Sequence, residues 1–331
     1  MNIPSSCKGI VLSGPEQFKT DTISLPSLKA GQVLVKMAFA PVNPSDLAFL
    51  TGNYGLKKAF PVVPGLEGSG LVVASGGGFL ANMILNKRVA CSAPPTGNGT
   101  WAEYMVTDAK SCIALNKNVS LEQAAMFFVN PLTALSFSKQ ARAAKADLVV
   151  LTAADSALAQ MILHFMQQAG IPVLGITRKS ERVTKLEKNG FTKAISSSES
   201  DYLAQVKAFS KSYRKVMFFD ALGGGQTPYA ILNALPDKSQ MVIYGRLDFN
   251  EPQFAPQEIL FKENVVKGYW LSKEMARKNL FSILMDVRKV QNMLSASFET
   301  QIQKTVPLED LSKGLEMYTS HMSAGKVLLA F

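Results

Sequence analysis

From residue 148 onward the chain alternates continuous apolar runs with segments of helical spacing, and this alternation constrains the fold more than any other feature. LVVLT (148–152) is apolar throughout, as a parallel strand covered on both faces must be. After it, Ala157, Leu158, Met161, Ile162, Phe165, Met166 and Ala169 recur at three- and four-residue spacing, with Ser156 placed to cap the helix they predict. Gly170 ends that helix and PVLGI (172–176) is the next strand. The alternation continues through a helix at 180–189, KAIS (193–196), a helix at 200–211, VMFFD (216–220) and a helix at 227–235. MVIYG (241–245) and VVKGYW (265–270) complete it. Strands separated by helices of about ten residues mean βαβ units and a doubly wound parallel sheet, hence an α/β fold.

The first 120 residues read differently. KGIVL (8–12), QVLVKMAFA (32–40), GSGLVVA (68–74), KRVAC (87–91) and AEYMV (102–106) are β-rich and separated by glycine, proline and asparagine clusters, as in a small barrel or folded sheet. Past Trp270 the pattern predicts a helix at 273–294, a strand at 300–306, a helix at 308–320 and a last strand, KVLLA (326–330). These C-terminal strands are expected to return to the first domain.

With 47% apolar and 18% charged residues over 331 positions, a disordered or fibrous chain is excluded. The net charge of +10 favours anionic partners such as phosphate-bearing cofactors, CoA esters or nucleic acid. No basic run reaches five residues, so a nucleic-acid partner is not indicated. Cys7, Cys91 and Cys112 are too few and scattered for a disulfide framework and fit a reducing compartment. With His164 and His321 far from any cysteine in sequence, no zinc spacing is present, and no metal site is expected. No secretory signal is visible at the N-terminus, and Gln167, Gln168, Gly170 and Pro172 interrupt the one long uncharged stretch, 156–177. A soluble cytosolic protein without a membrane segment is expected.

Ligands of such sheets bind at the carboxyl ends of the strands. The turn Thr152-Ala153-Ala154-Asp155-Ser156-Ala157-Leu158-Ala159 has small residues but none of the glycines of GxGxxG. It reads either as a nucleotide loop or as a plain strand–helix connection. Asp155 either faces the phosphate position or turns away to cap the helix. The second strand runs into Thr177-Arg178-Lys179 where NAD sites carry an acid, and a guanidinium there suits a 2′-phosphate. NADPH is favoured over NADH, the alternative being a solvated basic helix start.

VNPSD (42–46), GNYG (52–55), PGLEGSG (64–70), VNPLTA (129–134), the strand–turn–helix at 148–169 and FK…GYWLS (261–272) together resemble the medium-chain dehydrogenase/reductase superfamily over nearly the whole chain. The resemblance implies a GroES-like catalytic domain (1–122 and 271–331) and a Rossmann NADPH-binding domain (123–270). Leu66 stands where zinc-dependent members carry a histidine, so the chain resembles the zinc-independent branch of quinone oxidoreductases and mitochondrial-type 2-enoyl thioester reductases.

In those enoyl reductases a tyrosine matching Tyr54 is catalytic. A phenol there would protonate the α-carbon or hold the carbonyl oxygen after hydride reaches the β-carbon. As an alternative, Tyr54 is an ordinary turn tyrosine. The resemblance further implies Asn43, Asn130 and Thr133 near the cofactor, and Asp155, Ser156, Ala157 and Leu158 along the pyrophosphate. Thr177, Arg178 and Lys179 would surround the 2′-phosphate, and Tyr244, Gly245, Tyr269, Trp270, Leu271, Ser272 and Lys326 would complete the shell. Asn43 and Asn130 precede prolines and otherwise simply shape turns; Trp270 is either substrate wall or core. Arg246, where a small residue is usual, either recognises an anionic CoA or carrier phosphate or crowds the site.

The expected activity is NADPH-dependent reduction of an activated C=C in a 2-enoyl thioester or α,β-unsaturated carbonyl. The near alternative is an NADPH:quinone oxidoreductase, and a further one is a non-catalytic NADPH- or RNA-binding protein. A homodimer is implied by the resemblance alone, with MVIYG (241–245) as the candidate interface strand.

Overall fold

The computed structural model describes residues 3–296 and 298–331. The chain forms two compact units, one from residues up to Pro131 with Leu284–Phe331, the other Leu132–Ile283. Both divisions fall later than the expected 122/123 and 270/271 boundaries: residues 123–131 group with the first unit, and the helix Leu271–Ala276 with the residues up to Ile283 groups with the second.

In the second unit six parallel strands are ordered 193–196, 173–177, 148–151, 216–220, 240–243, 265–268. Numbered along the sheet's own sequence this is 3-2-1-4-5-6, the doubly wound order, in which the strand order reverses between the first and fourth strands. Leu148–Leu151 and Val216–Asp220 are buried at every position, which explains why they read as unbroken apolar runs. Leu148, Val150, Phe218, Met241 and Ile231 share one core beneath the helices.

The strand expected at an interface needs correcting. Gln240–Ile243 is paired on both sides, to Val216–Asp220 and to Val265–Gly268, so it has no free edge. The edge on that side of the sheet is Val265–Gly268, all four residues of which are exposed.

The first unit carries a seven-stranded sheet and a separate two-stranded one. The latter pairs Ser6–Gly14 with Gln17–Ser24, a strand whose sequence QFKTDTIS is mostly polar and shows no apolar alternation. In the larger sheet the last strand, Lys326–Ala330, lies antiparallel to Gln32–Pro41, with Leu328 opposite Pro41. The C-terminal strands therefore do return to the first unit. This register also brings the Val42 amide to the Val327 carbonyl, 2.9 Å, and so sets Lys326 beside Asn43.

The predicted helix 273–294 is two helices, Leu271–Ala276 and Leu280–Ala296. Asn279 breaks it: its side-chain oxygen accepts from the Ser282 amide at 2.9 Å, an N-cap within the periodic stretch.

Candidate active site

Within the first unit, VNPSD folds as a cap and a short helix. Asn43 precedes helix Pro44–Leu50, whose proline sits in the first turn where its missing N–H costs nothing. The Asn43 amide donates to Asp46 Oδ2 at 2.9 Å, and Asp46 Oδ1 accepts from the Leu66 amide at 3.1 Å. Asn43 Nδ2 donates to Glu67 Oε1 at 3.0 Å, while Lys326 Nζ donates to Asn43 Oδ1. The other Glu67 oxygen, Oε2, accepts from the Phe128 and Val129 amides at 2.8 and 3.0 Å.

Asn43, Asp46, Glu67 and Lys326 are all buried, so two carboxyls and one ammonium share a buried site. Burial, reinforced by Glu67's charge, pushes Asp46 from 3.8 to about 7 against the pull of Lys326 and two amides. Glu67 is likewise pushed up by burial, and Lys326 is pushed down. Lys326 also lies 5.8 Å over the Tyr318 ring.

The Asn43 carboxamide is thus committed at both ends, as is the Lys326 ammonium to its neighbours. Asn43 and Lys326 are both expected from the resemblance as cofactor contacts; the structure brings them together with each other. The sequence alone does not single out Asp46 and Glu67, though both lie in quoted motifs, because nothing in local pattern says that a carboxylate is buried.

Tyr54 lies in the irregular segment after helix Pro44–Leu50, half-buried and packed on the first unit's core. Nearby in sequence, Lys58 donates to the Gly97 carbonyl at 2.9 Å, and burial pushes its ammonium down to about 8.

Leu66 offers no ligand, and the buried oxygens of Asn43, Asp46 and Glu67 already accept hydrogen bonds from Lys326, from Asn43 and from backbone amides. Among the described residues no group of three or more histidine, cysteine or carboxylate side chains is placed to hold a metal.

In the second unit the turn after Leu148–Leu151 is held from below. Thr152 Oγ1 donates to Asp220 Oδ1 at 2.6 Å and accepts from the Ala221 amide at 2.8 Å. Asp220 also accepts from the Leu222 and Gly223 amides, at 3.2 and 2.7 Å. Burial pushes this carboxyl up while those donors hold it down. Helix Ala157–Gln168 is capped by Ser156, whose Oγ accepts from the Ala159 amide at 3.2 Å. The cap is therefore not Asp155, which stays half-exposed beside Ala157 and Leu158 at the helix start. Ala153 takes a positive φ of 48°, a conformation that costs an alanine more than the glycine usual in such turns.

Thr177 is buried at the end of the second strand, and its Oγ1 accepts from the Lys179 amide at 3.4 Å; Arg178 and Lys179 are exposed. Gly245 allows the loops after the fourth and fifth strands to touch, since a Cβ there would sit 2.6 Å from the Ala221 carbonyl. Phe137 stacks on Phe219 at 4.2 Å and meets the rings of Tyr244 at 5.1 Å and Tyr269 at 4.7 Å. Burial, then the charge of Asp220, pushes the Tyr244 phenol well up. Trp270 is half-buried at the start of helix Leu271–Ala276, with Lys273 5.7 Å from its ring centre, and Ser272 is exposed. Arg246 meets Glu251 at 3.8 Å with both side chains largely in solvent, a weak pairing that leaves the guanidinium available. Asn130 and Thr133 are buried near the start of helix Val129–Ala143.

Residues 29–117 match the family described as alcohol dehydrogenase GroES-like domain, and residues 157–286 match zinc-binding dehydrogenase. The chain belongs to the medium-chain dehydrogenase/reductase superfamily of oxidoreductases. It is 28% identical over 318 residues to the mitochondrial enoyl-[acyl-carrier-protein] reductase of Bos taurus, covering 93% of this chain and 83% of that protein. Among solved structures, a putative NADPH:quinone reductase from Mesorhizobium loti is 29% identical, with a TM-score of 0.91 and full coverage of both chains. A mutant enoyl thioester reductase from Candida tropicalis, 18% identical, shares the fold with a TM-score of 0.82 over 98% of this chain and 100% of that one.

Proposed function

We propose that the chain is a zinc-independent, NADPH-dependent reductase of an activated carbon–carbon double bond, acting on a 2-enoyl thioester or an α,β-unsaturated carbonyl. The observation that carries this reading is the end of the second strand, where exposed Arg178 and Lys179 stand in place of an acid. Asp155, Ser156, Ala157 and Leu158 would flank the pyrophosphate, with small side chains at the helix start. Tyr244, Gly245 and the segment Tyr269, Trp270, Leu271 and Ser272 would border the rest of the cofactor, together with Asn130 and Thr133. Asn43 and Lys326 act from behind, by fixing the helix that leads to Tyr54.

Bound NADPH supplies a hydride for the β-carbon of the acceptor. Tyr54 then delivers a proton to the α-carbon or holds the carbonyl oxygen by a hydrogen bond. Arg246 is available to an anionic CoA or carrier phosphate. The resemblance in sequence to mitochondrial enoyl-[acyl-carrier-protein] reductases supports the enoyl acceptor. The similarity to the putative NADPH:quinone reductase favours a second reading, direct hydride transfer to a quinone with Tyr54 dispensable.

The reading includes a homodimer. Its support is the uncovered edge strand Val265–Gly268 and the exposed side chains of Leu260 and Phe261 just before it. Three buried, unpaired cysteines fit a reducing compartment such as the cytosol. Among the described residues no helix is long and apolar enough to cross a membrane.

The test is titration with NADPH and NADH, followed by tryptophan fluorescence, with Trp270 as reporter. NADPH should bind more tightly, and Arg178→Ala should weaken it roughly ten- to hundredfold, the value of a charge-assisted contact. Tyr54→Phe should then abolish most enoyl reduction while cofactor affinity stays unchanged. Full turnover in Tyr54→Phe would leave the quinone reading.

A further inference from the structure

Resting on the NADPH reading above, we infer that Glu199 is an internal anion that competes with the cofactor's 2′-phosphate for the same hydroxyl donor, and so sets the preference between NADPH and NADH. The second and third strands of the parallel sheet end together, with Ser196 paired to Thr177. The residues that follow each strand face one another: the Ser197 amide donates to the Thr177 carbonyl at 2.8 Å, and Ser196 Oγ to the Arg178 carbonyl at 3.3 Å. Ser180 Oγ lies 3.0 Å from Ser198 Oγ, which lies 2.8 Å from Ser196 Oγ. Into this group of hydroxyls reaches Glu199, whose Oε1 accepts from Ser180 Oγ at 2.6 Å.

That distance is typical of a hydroxyl bonded to an ionised oxygen. A serine hydroxyl has one proton to donate, so Ser180 cannot serve Glu199 and a ligand phosphate at once. The carboxylate also adds a negative charge beside Arg178 and Lys179, the two cations expected to meet the phosphate. The other carboxylates near the third strand are otherwise engaged: Glu187 with Lys193 at 3.1 Å and the Ala194 amide at 3.2 Å, Asp201 with Gln205 at 2.9 Å. Glu199 occupies the Ser180 hydroxyl, the donor that an oxyanion would use, and a 2′-phosphate has to displace it. A 2′-hydroxyl has no such need, which narrows the gap between the two nucleotides.

The experiment is equilibrium binding of NADPH and NADH to the full chain by calorimetry, in the wild type, Glu199→Gln, Ser180→Ala and Arg178→Ala. Glu199 and Ser180 are exposed, so both substitutions should leave the thermal midpoint unchanged. Glu199→Gln keeps an acceptor for Ser180 but removes the charge, and should tighten NADPH roughly five- to tenfold, the difference between a charge-assisted and a neutral hydrogen bond, and leave NADH within about twofold. Ser180→Ala should weaken NADPH and not NADH. Unchanged NADPH affinity in Glu199→Gln overturns the competition. So does a weakened NADH, which would make Glu199 a ribose ligand instead. The cofactor reading fails separately, if Arg178→Ala leaves NADPH affinity unaltered or no nucleotide binds the wild type.

Discussion

The ammonium of Lys326 donates to the side-chain oxygen of Asn43, a residue 283 positions earlier in the chain, and that one bond ties the last strand of the first unit to the helix leading to Tyr54. Lys326 is the cation among two buried carboxyls, Asp46 and Glu67. Lys326→Met should cost about 1–3 kcal/mol at neutral pH, because Asn43 Oδ1 loses its charged donor and the two carboxyls must take up protons to stay buried. Urea unfolding measures this, and an unchanged midpoint would show that the ammonium is dispensable.

Asp46 carries a pH dependence of definite sign. Its carboxyl sits at about 7 in the folded chain against 3.8 ordinarily, so the folded state holds the proton more tightly. The stabilisation is fully present below pH 4 and is lost as pH rises through about 7. The upward shift of Glu67 acts in the same direction. Asp46→Asn should lower stability overall, since both Asp46 oxygens accept backbone amides, and it should flatten the fall between pH 4 and 7. Thermal midpoints across that range decide it; parallel curves for the two proteins would refute the assignment.

Thr152 is the hinge pin of the strand ends in the second unit. Thr152→Val removes the donor to Asp220 and the acceptor for the Ala221 amide while keeping the shape. A loss of about 1–3 kcal/mol is expected from the groups left unsatisfied. Hydrogen exchange at Ala221, Leu222 and Gly223 should accelerate together, because all three amides depend on Thr152 or Asp220.

Val266→Lys tests the homodimer. Val266 and Val265 are exposed on the edge strand, where a charge blocks strand addition. Sedimentation should find a dimer in the wild type and a monomer in the variant, with nucleotide affinity retained. A wild-type monomer would remove this part of the reading.

The doubly wound sheet was legible in the sequence because parallel strands buried on both faces leave unbroken apolar runs, and Leu148–Leu151 and Val216–Asp220 do so. The cap of Ser156 was legible for a similar reason, since it bonds an amide three residues away. Strand Gln17–Ser24 was not, as its two apolar residues, Phe18 and Ile23, pack on the core but fall out of period-two alternation among polar ones. The split at Asn279 was masked by apolar spacing that continues through it. Arg178 and Lys179 could be proposed from the strand they follow, but the Glu199 carboxylate against Ser180 could not, because it depends on two strands ending side by side.

What the sequence determined by itself is local: periodicity, capping, and the order of strands and helices along the chain. Tertiary structure alone decided which polar groups lost their water. Asp46, Glu67 and Lys326 look like ordinary charged residues in their own segments. Burial turns them into one electrostatic unit, since removing solvent strengthens their interaction and makes each one's protonation depend on the others.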